Sequence, residues 1–299
     1  MTAVVSIGIV VLDEVFSIPE PLRPGEKHRA AALQSVIGGN AANASLAIAR
    51  LGGLARLIAR FGDDETGRLL RTRLKGEGLD LSGSAAIPDT RTSRSAIVIE
   101  PDGSRTIVNH FDPAMPEQPD WLPRNLPEDA AAVLGDTRWE HGATHLFRLA
   151  RARGIPAVFD GDRKPTDESL ISLATHPVFS AQGLREWSGE DDLAAGLHRL
   201  AAKGSGFAAV TDGANGVYFV AGEASGHVPA FPVRVVDTLG AGDVWHGAFA
   251  FALGEGQDAI SAMWFANAAA AIKCSRAGGA SGAPVRAEVE TLLATRGSG

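Results

Sequence analysis

The sequence predicts an α/β protein, a doubly wound and mainly parallel sheet that carries a small β-sheet lid. Three observations predict it. Short apolar runs alternate with amphipathic helical segments over most of the 299 residues, the pattern of strands buried on both faces beneath crossover helices. Two stretches, 26–37 and 91–112, break that rhythm with β-like character and no helix between. The last third is helical and opens on a glycine-rich turn. No internal repeat or low-complexity linker divides the chain, so residues 1–299 are read as one domain. Its lid comes from inserted segments at about 14–37 and 91–112.

The run 4–11 reads as the first buried strand; it has no basic leader region and soon meets Asp13 and Glu14. A helix over 41–51, a strand over 55–59 and a helix over 65–75 follow. The spacing of Arg68, Arg71, Arg73 and Lys75 on that second helix marks a solvated face. Within 91–112, Ser95-Ala-Ile-Val-Ile-Glu100, the turn Pro101-Asp-Gly103 and Arg105-Thr-Ile-Val-Asn109 spell a hairpin. A sheet of such pieces would cover a cleft, and its open edges invite pairing with a second subunit. Strands at 131–134, 155–159 and 207–210 alternate with helices at 142–153 and 193–202. Helices at 243–253, 258–274 and 286–294 complete the order, the middle one presenting Ala266 and Ala268 to Ala271 as a small-residue face. The terminal 296–299 is expected to fray.

Composition narrows the function. The net charge of −7 argues against a nucleic-acid surface, which needs clustered Lys and Arg. The single cysteine, Cys274, excludes an intrachain disulfide and agrees with a reducing cytoplasm. No uninterrupted apolar run is long enough to span a bilayer. A cytoplasmic protein with a small-molecule substrate is the expectation.

The stretch Asp237-Thr-Leu-Gly-Ala-Gly-Asp243 carries the most chemistry. Gly240 and Gly242 let the backbone turn its N–H groups toward one point, and the positive end of the following helix adds to them. That arrangement suits a phosphate, and Asp243 stands where it could take a proton from an attacking hydroxyl. Glu140, His141 and His145 include a helical pair of histidines but no third ligand, so a solvated helix is expected there.

This motif has company. With Ile37-Gly-Gly-Asn-Ala-Ala-Asn43, Val210-Thr-Asp-Gly-Ala-Asn-Gly216, Gly8 and Asp13, the chain resembles the ribokinase-like (PfkB) carbohydrate kinase family from Met1 to about Pro284. The resemblance implies the ribokinase-like fold and transfer of a phosphoryl group from ATP, with Mg2+, to a sugar hydroxyl. It makes Asp243 the base and gives the amides of Gly240, Ala241 and Gly242 to the transferring group. Asp13, Gly39 and Asn43 would hold sugar hydroxyls. Thr211 and Gly213 would lie along the nucleotide, and Asn267 with Gly279 would border the adenine. Asp237 and nearby carbonyls would hold a monovalent cation such as K+. One departure stands out: where many members have Asn-x-x-Glu, this chain reads Phe179-Ser-Ala-Gln-Gly183. Asp160 and Asp162 would then take over the water-mediated contact to magnesium, or simply cap a strand-end turn.

Within the family, Gly135-Asp-Thr-Arg-Trp-Glu-His-Gly142, Phe159-Asp-Gly-Asp162 and Phe179-Ser-Ala-Gln-Gly-Leu184 look like the 6-deoxy-6-sulfofructose kinases of sulfoquinovose breakdown. That likeness implies that Lys27, Asn109 and Arg138 recognise the sulfonate, a permanent anion that wants a cation and directional donors. Ketohexokinases and fructokinases share the framework without an anionic pocket. A homodimer clasped through the lids is expected as well. Two readings of other classes remain: a nucleotide-dependent dehydrogenase, disfavoured because Gly8 stands without Gly-x-Gly-x-x-Gly, and a sugar-binding regulator that has lost catalysis.

Overall fold

A computed structural model describes residues 1–118, 120–204 and 206–295; the terminal 296–299, expected to fray, lies outside the described residues. In chain order the elements are β1 (Ala3–Gly8), β2 (Val11–Ser17), β3 (Ala32–Gly38), α1 (Asn40–Arg50), β4 (Leu54–Gly62), α2 (Glu65–Gly76), β5 (Ala85–Ile87), β6 (Arg94–Ile99), β7 (Arg105–His110) and β8 (Ala130–Asp136). Then come α3 (Glu140–Arg153), β9 (Ala157–Gly161), α4 (Ser169–Leu173), β10 (His176–Ser180), α5 (Ala181–Ser188), α6 (Leu193–Lys203), β11 (Phe207–Thr211), β12 (Val217–Ala221), β13 (Ala224–Val228), α7 (Ala241–Gly254), α8 (Ala259–Cys274) and α9 (Arg286–Ala294).

β1 lies inside the main sheet because its side chains are apolar toward both layers: Val4 packs on one face, Val5 and Ile7 on the other. The strand order is β13-β12-β11-β10-β9-β8-β1-β4-β5. From β5 to β11 neighbours run parallel, and β12 with β13 adds an antiparallel edge. Strand order reverses around β1, and ligands gather at such a switch point beyond the carboxyl ends of the strands. One face is covered by α1, α7 and α8, the other by α3 with Trp139, Phe147 and Phe159, all fully buried. Each such aromatic ring contributes about 1.5–3 kcal/mol of burial energy.

The second, smaller sheet, ordered β3-β2-β6-β7, is built from the segments expected to form the lid, and we refer to it as the lid. Its register puts Val11 opposite Gly38, Leu12 opposite Arg94 and Arg94 opposite His110, so one end of all four strands meets the main body. The run 4–11 is not one strand. The chain leaves the main sheet after Gly8, where the Ile9 N–H is drawn to the Asp136 carboxylate at 2.9 Å. Asp13 therefore belongs to the lid, whose first strand starts three residues before the boundary that the sequence suggested. Both halves of that run are apolar, so no polar break marks the crossing. Strands β5, β10, β12 and β13 and helices α4 and α5 were also not anticipated, being short and without a clear period.

Candidate active site

Two helix starts meet where Asn43 bonds Asp243; each has a glycine at its N-cap and so no cap from that residue, although Asp136 takes the Ala41 amide of α1. α1 begins at Gly39 (φ 98°) and α7 at Gly240 (φ 75°). By contrast, side chains of Asp64, Ser180, Asp192 and Asp258 cap α2, α5, α6 and α8. Uncapped first turns leave backbone donors for a ligand. At α7 the Ala241 N–H is already donated to the Thr238 carbonyl at 3.2 Å, so the cradle rests on Gly242 and the turn at Gly240 more than on Ala241. Gly39 is obligatory: a Cβ there would lie 2.4 Å from the Ile9 carbonyl oxygen. At Gly38 it would strike the Asp13 carboxylate, so this pair of glycines lets a lid carboxylate approach the start of α1.

Asp243 lies in the first turn of α7 and accepts a 2.7 Å hydrogen bond from the Asn43 side-chain amide. Burial, with the nearby Asp160 charge, pushes its carboxyl up to about 7, against the pull of that amide. The other side-chain atom of Asn43, Oδ1, is buried and unpartnered among the described residues, which suits a hydroxyl donor. Asp136 is fully buried and accepts from the amides of Ile9, Ala41 and Arg138 at 2.9, 3.2 and 2.9 Å. A Cβ on Gly8 would collide with it, which is why Gly8 matters. This organising aspartate escaped the sequence reading; a glycine facing a strand-end Asp was its only trace.

The carboxylates at the end of β9 are engaged as well. Asp160 accepts from Asn40 at 3.1 Å and stands 3.6 Å from the ring of His246. Burial and the Asp162 charge raise its carboxyl well above the usual range, and burial holds His246 below its own. Asp162 accepts short hydrogen bonds from Thr137 and from the Arg138 guanidinium. Gly183, where the family often has a glutamate, has no room for a side chain: a Cβ would lie 2.3 Å from the Gly161 carbonyl oxygen.

On the lid, Asp13 is buried, which raises its carboxyl while a Ser95 hydrogen bond opposes the rise. Asn109 bonds the same Ser95 hydroxyl at 3.0 Å, so Asn109, Ser95 and Asp13 form one chain across the sheet. Lys27 is exposed in the loop between β2 and β3. Arg105, which the sequence reading missed, reaches from β7 to donate to the Thr238 hydroxyl at 2.8 Å.

Beyond Asp243 opens a cavity of about 710 Å³, lined among others by Arg105, Thr211, Gly213, Gly242, Trp245 and Asn267. Three expected nucleotide residues meet here. Asn267 is wholly spent on the protein, accepting from Trp245 at 2.7 Å and donating to the carbonyls of Val228 and Pro229; it shapes the wall. Gly279 instead donates its amide to Asp237 at 2.9 Å and stands with the anion cradle. The amides of Leu239 and Gly279 and the Lys273 ammonium hold the Asp237 carboxyl below the usual range, although burial alone would raise it. Glu140 bonds the backbone at Thr166 and Asp167, and His145 the Pro123 carbonyl, in keeping with a structural role. Among the described residues no helix is long and apolar enough to cross a membrane.

The arrangement can hold a polyanion beside a hydroxyl-bearing molecule and take a proton between them. A family model described as pfkB family carbohydrate kinase matches residues 1–286. A ribokinase of Bacillus subtilis is 29% identical, the alignment covering 96% of this chain and 98% of that one. A probable fructokinase-5 of Arabidopsis thaliana is 27% identical over 87% and 88% of the two chains. Among solved structures, one from Agrobacterium tumefaciens is 35% identical, with TM-score 0.92 over 99% of this chain and 98% of that one.

Proposed function

Because the chain belongs to the pfkB family of carbohydrate kinases, and so is a phosphotransferase acting on a sugar hydroxyl, we propose that ATP is the donor and a ketose hydroxymethyl the acceptor, most specifically that of 6-deoxy-6-sulfofructose. The observation that carries the reading is the Asp243–Asn43 pair facing an uncapped helix start. Asp243 takes the proton of the sugar hydroxyl, and Asn43 orients the carboxylate and offers Oδ1 to a substrate hydroxyl. Asp13 and the amide-bearing turn at Gly39 hold further hydroxyls. The turn at Gly240 and the Gly242 amide stabilise the charge spread over the transferring phosphoryl group, with Arg105 closing from the lid. The nucleotide lies along Thr211 and Gly213, against Trp245 and Asn267.

Magnesium belongs to this reading as the ion carried on the ATP phosphates. Asp162, whose side chain is partly exposed, would meet it through water, whereas Asp160 is buried against Asn40 and His246; the ion would supply neutralisation of phosphate charge. The exposed apolar residues Leu33, Ile107 and Val108 on the lid sheet support a homodimer through the lid.

For the sulfonate, Arg138 is the main cation, with Asn109 and Lys27 from the lid. Arg138 is half-buried and linked through its own amide to Asp136, which also takes the Ala41 amide. A neutral ketose or pentose is the second reading, and one observation favours it: Asp162 already neutralises Arg138. A coupled ADP-release assay with ATP and magnesium against 6-deoxy-6-sulfofructose, fructose, fructose 6-phosphate and ribose separates them. Preference for the sulfonated sugar supports the Lys27–Asn109–Arg138 pocket; preference for fructose or ribose reduces those three to scaffold.

A further inference from the structure

Lys273 is the one fully buried lysine among the described residues. It stands in the last turn of α8, with its ammonium 2.7 Å from the Asp237 carbonyl oxygen and 3.2 Å from that residue's Oδ2. The same carboxylate accepts the Leu239 amide at 2.8 Å and the Gly279 amide at 2.9 Å. The amides of Val236 and Asp237 are in turn donated to the Cys274 carbonyl at 2.8 and 3.1 Å. The ammonium therefore sits at a knot that joins the loop before α7, the end of α8 and the turn at Gly279. That loop sets the direction of the Gly240 turn and of the helix start behind it.

A free monovalent cation at Asp237 would need the same carboxylate and carbonyl oxygens. Both already face a fixed positive charge, and a second cation beside it in this partly buried site would be repelled. These residues do not fit a loosely held ion. We infer that Lys273 is the protein's built-in cation: it holds the anion cradle in shape through Asp237 and relieves the enzyme of any K+ or Na+ requirement. Lys273 is thus a positioning residue. The inference rests on the phosphoryl-transfer reading but on no particular sugar.

The test compares the wild-type protein in N-methylglucamine, sodium and potassium chloride at equal ionic strength, by thermal melting and by calorimetric titration with ADP and magnesium. An ion that binds the native state raises its stability and tightens a coupled ligand; here melting temperature is expected to stay constant and the ADP Kd to stay within about twofold. Specific stabilisation by K+ with tightening of about tenfold or more would overturn the inference. In Lys273→Ala, checked for folding by circular dichroism, kcat is expected to fall on the order of 10²-fold. Ammonium or methylammonium, but not N-methylglucamine, should restore part of it. A folded variant that no small cation rescues argues against the role; if the variant does not fold, the wild-type salt series decides. A protein that phosphorylates none of the sugars yet binds ADP independently of K+ keeps this inference and loses the substrate reading. Turnover that demands K+ does the reverse.

Discussion

The carboxyl of Asp243 is pushed up to about 7 by its burial, with the Asp160 charge adding to the effect. A base must be ionised to accept a proton, so kcat/KM of the free enzyme is expected to rise with pH through a limb near that value. One unit below it only about a tenth of the molecules carry the base in working form, so lowering the pH from 7 to 6 should cost several-fold, approaching tenfold per unit at lower pH. Two variants move the limb in opposite directions. Asp160→Asn removes a neighbouring negative charge and should shift it to lower pH. Asn43→Ala removes the 2.7 Å donor that favours the ionised form and should shift it upward, besides lowering kcat. The sign for stability is the reverse of that for activity. A carboxyl whose folded pKa lies above its unfolded value contributes stability below the unfolded value and loses it as pH rises through about 7. Asp243→Asn should therefore flatten that part of the pH–stability curve while abolishing turnover. Because Asp160 and Asp243 interact, the limb belongs to the pair. Initial rates at low sugar across pH 5 to 9 measure it. A flat profile through this range, with both variants behaving alike, would refute the assignment of Asp243 as base.

Gly39→Ala forces a Cβ against the Ile9 carbonyl at φ 98°, and a loss of about 1–3 kcal/mol in denaturant unfolding is expected. Arg105→Ala removes the lid's contact to Thr238; kcat/KM for ATP should fall roughly tenfold to a hundredfold with little change in melting temperature. Arg138→Ala should lower kcat/KM on the order of tenfold or more for the sulfonated sugar only, and an equal small change for neutral and anionic sugars would argue against the pocket. Charged substitutions at Ile107 and Val108 should yield a monomer by sedimentation, provided the wild-type protein sediments as a dimer.

The alternation of apolar runs and helices was enough to anticipate the main sheet, and the hairpin at 95–109 was readable because Pro101-Asp-Gly103 has distinct turn chemistry. The motif at 237–243 marked the start of α7 at Gly240 for a similar reason: two glycines leave a clear local mark. Contacts between distant segments left none. Asp136 organises Ile9 and Ala41 only because β1 and β8 are neighbours, and Arg105 reaches Thr238 across 133 residues of chain. The lysine in the alanine-rich helix 258–274 was not singled out, since nothing in its surroundings reveals which side of a helix meets Asp237.

The four strands of the small sheet are rooted at one end, and at the other Arg105 touches the main body at Thr238. Val11, Gly38, Arg94 and His110 mark the root, where Asp13 and the glycine pair stand; Ser17, Ala32, Ile99 and Arg105 mark the tip. The sheet is thus a cantilever about 20 Å long, at roughly 3.3 Å per residue. A small tilt at the root, where sugar hydroxyls would press under the proposed reading, becomes a larger sweep at the tip, where Arg105 meets Thr238. Under the proposed reading, a sugar seated at the root would act by leverage on the Arg105–Thr238 contact already made at the tip. Stiffness of β6 and β7, more than the chemistry of any one side chain, would set how faithfully a filled sugar site is reported to the phosphate end.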